Sequence, residues 1–95
     1  MSYGVVMSTK ASEDLARLPY ALAEFVIQQI MHLSDDPVNR SRRATFPLPR
    51  GQICTCTREF KDVEYHFTIR FDYGLDEKHI RIASILADPP FDPGW

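Results

Sequence analysis

The sequence contains few of the residues that mark several classes of protein. It has two cysteines, four glycines and one tryptophan among 95 residues. Two cysteines are too few for a disulfide scaffold, and the scarcity of glycine excludes a collagen-like repeat. The hydrophobic fraction of 44% is that of a globular protein rather than a disordered chain. We therefore expect a single domain over residues 1–95.

Long hydrophobic runs are also missing. A membrane-spanning helix needs about 20 predominantly apolar residues in succession, and no stretch of this sequence approaches that length. The first ten residues lack the basic segment and following apolar segment of a signal peptide. These absences predict a cytoplasmic protein that does not contact a membrane.

The two cysteines, Cys54 and Cys56, are two positions apart. On a strand they project from the same face, where a relaxed disulfide is difficult to form. A metal site would need two further ligands, and the sequence has no second cysteine pair or histidine pair at ligand spacing. We therefore expect buried, reduced thiols, no metal site and no cofactor.

The basic excess typical of nucleic-acid-binding proteins is absent from the total, because the formal net charge is −2. The distribution is uneven. Residues 1–37 carry two basic and five acidic side chains, residues 38–61 carry six and one, and residues 62–95 carry three and seven. The middle segment is therefore either a solvated loop or a basic surface for nucleic acid. Its candidate nucleic-acid-binding residues are Arg40, Arg42, Arg43, Arg50, Arg58 and Lys61.

Hydrophobic periodicity predicts one strand, then two helices, then three strands. Apolar residues at i, i+4, i+7 and i+11 from Ala11 form a helical stripe, which Pro19 divides into two helices. Between residues 63 and 73 every odd position is hydrophobic and every even position is polar, which indicates a strand with one buried face. The predicted elements are a strand over 3–7, helices over Lys10–Leu18 and Pro19–Leu33, a loop over 38–50, and strands over Gln52–Phe60, Val63–Tyr73 and His79–Ala87. We expect Phe60 to pair with Val63, and Ile80, Ile82 and Leu86 to lie on one side of the last strand.

The predicted strand pairing brings two arginines together on the polar face of the sheet. If Tyr73 pairs with Lys78, Arg70 lies directly opposite Arg81, and Asp72 lies near both. Like charges opposite each other destabilise a sheet, so something must offset them. Two interpretations remain open: a surface network in which Asp72 bridges the arginines, or a site that binds phosphate through their planar guanidinium groups.

His66 lies on the same predicted face, and because histidine is the side chain that most often serves as a general acid or base, it is a candidate for that role. The face has no Ser/His/Asp triad, and the sequence has no glycine-rich phosphate loop.

The order of elements and several short phrases resemble the RelE/ParE superfamily of bacterial toxins. The phrases are TKASEDL after the first strand, LPYALAEFV, IMHLSDDP and FDYGLDEKHIRI. The resemblance covers residues 3–87. It implies an α+β domain of order β-α-α-β-β-β, with the helices packed on one face of a mainly antiparallel sheet. Residues 88–95 form a proline-rich C-terminal tail outside the resemblance.

The resemblance also implies a function. RelE-like members cleave mRNA on the ribosome, ParE-like members inhibit DNA gyrase without cleaving RNA, and both are neutralised by a cognate antitoxin. For a RelE-like ribonuclease the candidate catalytic residues are Arg70, Arg81 and His66. The tail over 88–95 has no Lys, Arg, His or Tyr to act as the usual C-terminal catalytic residue. The alternative is therefore a non-enzymatic ParE-like inhibitor or a binding-only member of the same fold.

Overall fold

The strands of this protein form one sheet with the two longer helices on one side. In the computed structural model, residues 3–43, 51–74 and 78–90 are described. Their elements, in chain order, are β1 (Gly4–Met7), α1 (Thr9–Ala16), α2 (Tyr20–Asp35), α3 (Pro37–Arg40), β2 (Arg42–Arg43), β3 (Gln52–Phe60), β4 (Val63–Tyr73) and β5 (His79–Asp88). The sheet order is β1-β5-β4-β3-β2, with only β1 and β5 parallel among these strands. The predicted α+β class is confirmed.

The two predicted helices are present, and local chemistry sets where each begins. The Ser8 hydroxyl accepts the backbone N–H of Ala11 at 2.9 Å and caps α1. Pro19 immediately precedes α2, where its missing N–H costs no helical hydrogen bond. None of the helices within the described residues is both long enough and apolar enough to cross a membrane.

The core lies between α2 and the sheet. Helix α2 contributes one buried stripe, Leu22, Val26, Ile30 and Leu33, at helical spacing. The sheet contributes alternate residues of its strands, which project to the same side. The buried hydrophobic residues of the strands are Cys54, Phe67, Ile69, Phe71, Ile80, Ile82 and Ile85.

The predicted pairing of β3 with β4 is confirmed, whereas that of β4 with β5 is wrong. Tyr73 pairs with Ile80 rather than Lys78, and Arg70 pairs with Ser84 rather than Arg81. Hydrophobic alternation specifies which face a residue takes, but a shift of two residues leaves every side chain on its face. The shifted pairing places Arg81 opposite Asp72, so a favourable charge pair replaces the predicted repulsion.

A β-bulge in β5 shifts the pairing by one further residue. Phe71 pairs with Ile82 and Arg70 pairs with Ser84, so Ala83 is the extra residue between them. Beyond Ile82, β5 no longer pairs with β1, and helix α1 with its cap satisfies two of the backbone groups there. The Ser8 hydroxyl donates to the carbonyl of Ala83 at 2.8 Å, and the Asp14 carboxylate accepts the N–H of Ile85 at 3.0 Å. The bulge is therefore fixed by tertiary contacts with α1.

The bulge also reverses the inward and outward alternation of β5. Leu86, predicted to share the core face with Ile80 and Ile82, lies on the opposite face and is 45% exposed. Ile85 takes the core position instead and is 5% exposed. The predicted placement of Leu86 is thus wrong because one inserted residue changes the face of all that follow.

The predicted loop over 38–50 contains regular structure where it is described. Pro37–Arg40 form the short helix α3, and Arg42–Arg43 pair with Ile53 and Gln52 as the edge strand β2. The prediction missed both elements because each is too short for a periodic pattern.

The turn between β3 and β4 is strained. Lys61 has φ 50° and Asp62 has φ 65°, a region that side chains other than glycine and asparagine rarely adopt. We expect the double substitution Lys61→Asn and Asp62→Gly to raise the free energy of unfolding by about 1–2 kcal/mol, because it relieves this strain. Urea denaturation measures the change. A neutral or destabilising result would show that the side chains of the turn compensate for the strain.

Candidate nucleic-acid interface

The face of the sheet that the helices leave uncovered carries the polar residues of the strands. One row crosses this face from β2 to β5 and consists of Arg42, Ile53, Arg70 and Ser84, which are successive partners across the sheet. The next row consists of Thr55, Thr68 and Leu86. We call this surface the open face. It combines cationic, hydroxyl and apolar side chains, which suits contact with the phosphate, ribose and base of a nucleic acid.

Arg70 lies near the centre of the open face. It is partly buried, between Ile53 on one side and Ser84, which is 8% exposed, on the other. None of the ion pairs between described residues involves Arg70. Its guanidinium therefore retains its full charge and its hydrogen-bond donors for an anion.

Arg81 is engaged instead. Its Nε donates to Asp72 Oδ1 at 2.8 Å and its Nη2 donates to Asp72 Oδ2 at 2.9 Å. These hydrogen bonds, together with the charge of Asp72, raise the pKa of Arg81. Asp72 therefore pairs with Arg81, as the first of the two interpretations predicted, but it does not bridge Arg81 to Arg70.

His66 is distant from Arg70. The two residues are four positions apart on β4, which separates their Cα atoms by about 13 Å. His66 lies between Thr57 and Asp88 in the sheet, and its Nε2 is 3.4 Å from Glu64 Oε1. The structure thus places all three candidate catalytic residues on the open face without bringing them to one point.

The predicted nucleic-acid-binding residues fall into three groups. Arg40 and Arg42 line a cavity of about 280 Å³ at the β2 edge. Arg58 is on the helix side of β3, where its guanidinium lies 5.6 Å from the ring centroid of Phe25. Lys61 belongs to the turn after β3. Arg50 and the side chain of Arg43 are outside the part of the chain that the structure describes.

Sequence reasoning missed Ser84, Leu86 and Ile53 as components of this face. Ser84 and Leu86 reach it only because of the bulge, which has no signal in the sequence. Ile53 was missed because only polar residues were assigned to this face. In the structure it lies between Arg42 and Arg70 in the row that crosses the sheet.

Among the described residues, no group of three or more His, Cys, Asp or Glu side chains is arranged to hold a metal ion. Cys54 and Cys56 are both free thiols on the helix side of β3. Burial raises the pKa of Cys54, and burial together with the neighbouring Cys54 raises the pKa of Cys56 to about 11.

The cysteines give a prediction about pH. Raising the pKa of Cys56 from 9.0 to about 11 lowers its thiolate fraction at pH 8 about a hundredfold. We expect iodoacetamide to modify Cys56 about a hundred times more slowly in the folded protein than in urea, as measured by mass spectrometry. Since the unfolded chain ionises first, stability should also fall as the pH rises from about 9 to 11. Equal alkylation rates in the two states would contradict the buried placement.

Comparison with solved structures identifies the architecture. The toxin–antitoxin complex RelBE2 from Mycobacterium tuberculosis matches with a TM-score of 0.70 and 17% identity, over 90% of this chain and 96% of that chain. An arginine-to-alanine double mutant of the Escherichia coli toxin RelE in the free state matches with a TM-score of 0.61 and 11% identity, over 90% and 82%. No family model and no curated protein matches the sequence. The chain therefore has the fold of the RelE toxins.

Proposed function

We propose that this protein is the toxin of a bacterial toxin–antitoxin pair and that it cleaves mRNA at the ribosome. The observation that carries the proposal is Arg70, which has no ion-pair partner among the described residues and lies at the centre of the open face of a RelE fold. An arginine in that position suits a phosphodiester, because its planar fork donates two parallel hydrogen bonds and keeps its charge. The partner in the cell is a cognate antitoxin, as in the complex of the Mycobacterium tuberculosis neighbour.

Each candidate catalytic residue has a distinct role in this proposal. Arg70 binds the phosphate at which the chain is cut and stabilises the charge that develops on it. Arg81 adds a second positive group, held in one orientation by its two hydrogen bonds to Asp72. His66, whose Cα is about 13 Å from that of Arg70, has the role of contacting the RNA at the exposed end of the face rather than acting at the phosphate that Arg70 binds.

A cell-based experiment tests the proposal. The protein is induced in bacteria, and the ends of mRNA on translating ribosomes are mapped for wild type, Arg70→Ala and Arg17→Ala. Arg17 is an exposed arginine on the helix side, so its variant controls for the lost charge. We expect growth arrest with new mRNA ends in wild type and Arg17→Ala, and a loss of at least about a hundredfold in those ends in Arg70→Ala.

A second candidate function is inhibition of a protein target without RNA cleavage. It is favoured by the carboxylates near His66, where Glu64 pairs with that histidine and Asp88 lies opposite it. A negative surface there opposes the approach of a phosphate backbone. Growth arrest with intact mRNA would support this function and contradict the first, and the absence of growth arrest would contradict both.

A further inference from the structure

The basic motif NRSRR, residues 39–43, forms a corner between a helix and an edge strand. Helix α3 ends at Arg40, Ser41 is extended, and Arg42 begins β2. Two side-chain contacts hold this corner: the Ser41 hydroxyl donates to the carbonyl of Pro37, and the Asn39 amide donates to Asp36 Oδ2 at 3.0 Å. The motif therefore has a defined shape and is more than a solvated loop.

The corner borders one side of a shallow, open cavity whose other side is β3. The cavity has a volume of about 280 Å³, and its lining residues are Asn39, Arg40, Ser41, Arg42, Ile53 and Thr55. None of these described lining residues is a carboxylate. Neither arginine takes part in an ion pair between described residues, and the carboxylate of Asp36 is directed to Asn39. Two full positive charges consequently share one concave surface.

We propose that this corner binds a backbone phosphate of single-stranded RNA and forms a second subsite beside Arg70. The inference rests on the proposed function and specifies how the open face would hold its substrate. Arg42, Ile53 and Arg70 are successive partners across three strands, so the Cα atoms of the two arginines are about 10 Å apart. An extended RNA strand crossing the sheet meets Arg70 at one phosphate and the corner at another.

The chemistry of the lining favours RNA over other anions. Arg40 and Arg42 each offer a guanidinium fork to phosphate oxygens, and the exposed Thr55 adds a hydroxyl. Ile53 lies between the two phosphate sites and presents an apolar surface to the ribose and base that connect them. A small free anion would use only the arginines, whereas a polynucleotide uses the whole row.

Salt-dependent binding to RNA tests the subsite. The probe is a short single-stranded RNA of mixed sequence with 2′-O-methyl groups, and binding is followed by fluorescence anisotropy. The variants are Arg40→Ala/Arg42→Ala, the charge-preserving Arg40→Lys/Arg42→Lys, and the control Lys10→Ala/Arg17→Ala, which removes two charges from the helix side. Circular dichroism checks that each variant is folded.

We expect the alanine pair to reduce the slope of log affinity against log salt by about 0.7, the contribution of one phosphate contact on a single strand. Affinity at low salt should fall about tenfold or more. The lysine pair should keep the slope and lose affinity only a few-fold, and the control should match wild type. An unchanged slope in the alanine pair, or an equal reduction in the control, would overturn the subsite.

The result is separable from the proposed function. If the slope falls as expected while induced cells keep intact mRNA, the subsite stands and the nuclease proposal fails. If mRNA is cleaved while the alanine pair binds RNA like wild type, the nuclease proposal stands and the subsite fails. A polyglutamate peptide serves as a competitor: if it binds in an Arg40- and Arg42-dependent manner while RNA does not, the corner is a protein-binding site and the inference is wrong.

Discussion

Replacing Phe67 with alanine is expected to lower the free energy of unfolding by about 3–5 kcal/mol, the usual cost of removing a buried phenyl ring. Phe67 is 0% exposed, at the middle of β4, between Cys56 of β3 and Ala87 of β5. Its ring centroid is 6.1 Å from that of Phe25 on α2. The substitution therefore leaves a cavity where the helix meets the sheet, and neighbours that are themselves packed cannot fill it.

The neighbouring residue supplies the control. Thr68 follows Phe67 on the same strand but faces the open side, so Thr68→Ala should change stability by no more than about 0.5 kcal/mol. Chemical denaturation of both variants measures the difference. Since a domain of this size has only about 5–15 kcal/mol in total, Phe67→Ala should leave a large unfolded fraction in moderate urea. Equal stabilities for the two variants would contradict the placement of Phe67 in the core.

Replacing Asp14 with alanine is expected to lower the free energy of unfolding by about 1–3 kcal/mol, and the melting temperature by about 10 °C. The side chain of Asp14 is 9% exposed, and its Oδ2 accepts the N–H of Ile85 in the bulged part of β5. Without the carboxylate, the N–H of Ile85 loses the hydrogen-bond acceptor that takes the place of a neighbouring strand.

Two variants separate the hydrogen bond from the charge. Asp14→Asn retains an acceptor oxygen and should recover most of the lost stability. Lys10→Ala removes the exposed cation that lies 3.0 Å from Asp14 Oδ1, and should cost less than about 1 kcal/mol. Differential scanning calorimetry of the three variants gives the comparison. If Lys10→Ala were as damaging as Asp14→Ala, the ion pair rather than the bulge would account for the effect.

Much of the fold could be predicted from local patterns. The alternation over Val63–Tyr73 is regular enough to define the strand, its buried face and its pairing with β3, all of which the structure confirms. Pro19 marks the division between the helices because a proline inside α2 would clash with the preceding turn. These signals depend on a few adjacent residues and therefore can be read without the tertiary structure.

The candidate site was less predictable. Alternation assigned Arg70, Arg81 and His66 to one face of the sheet, and all three lie on that face. Their arrangement was not predicted, because the pairing of β4 with β5 depends on the intervening loop and on a bulge. Arg81 consequently pairs with Asp72, while Arg70 faces Ser84.

The sequence by itself determined the class of fold, the buried and exposed faces of the long strands, and the concentration of basic residues in the middle of the chain. Only the tertiary structure decided which of those basic residues share a surface. Asp14 and Ser8 of the α1 region stabilise the bulge in β5, more than 65 positions away in the chain. Hydrogen bonds of that range follow from packing rather than from local preference, and the bulge that they hold decides which residues of β5 share the open face with Arg70.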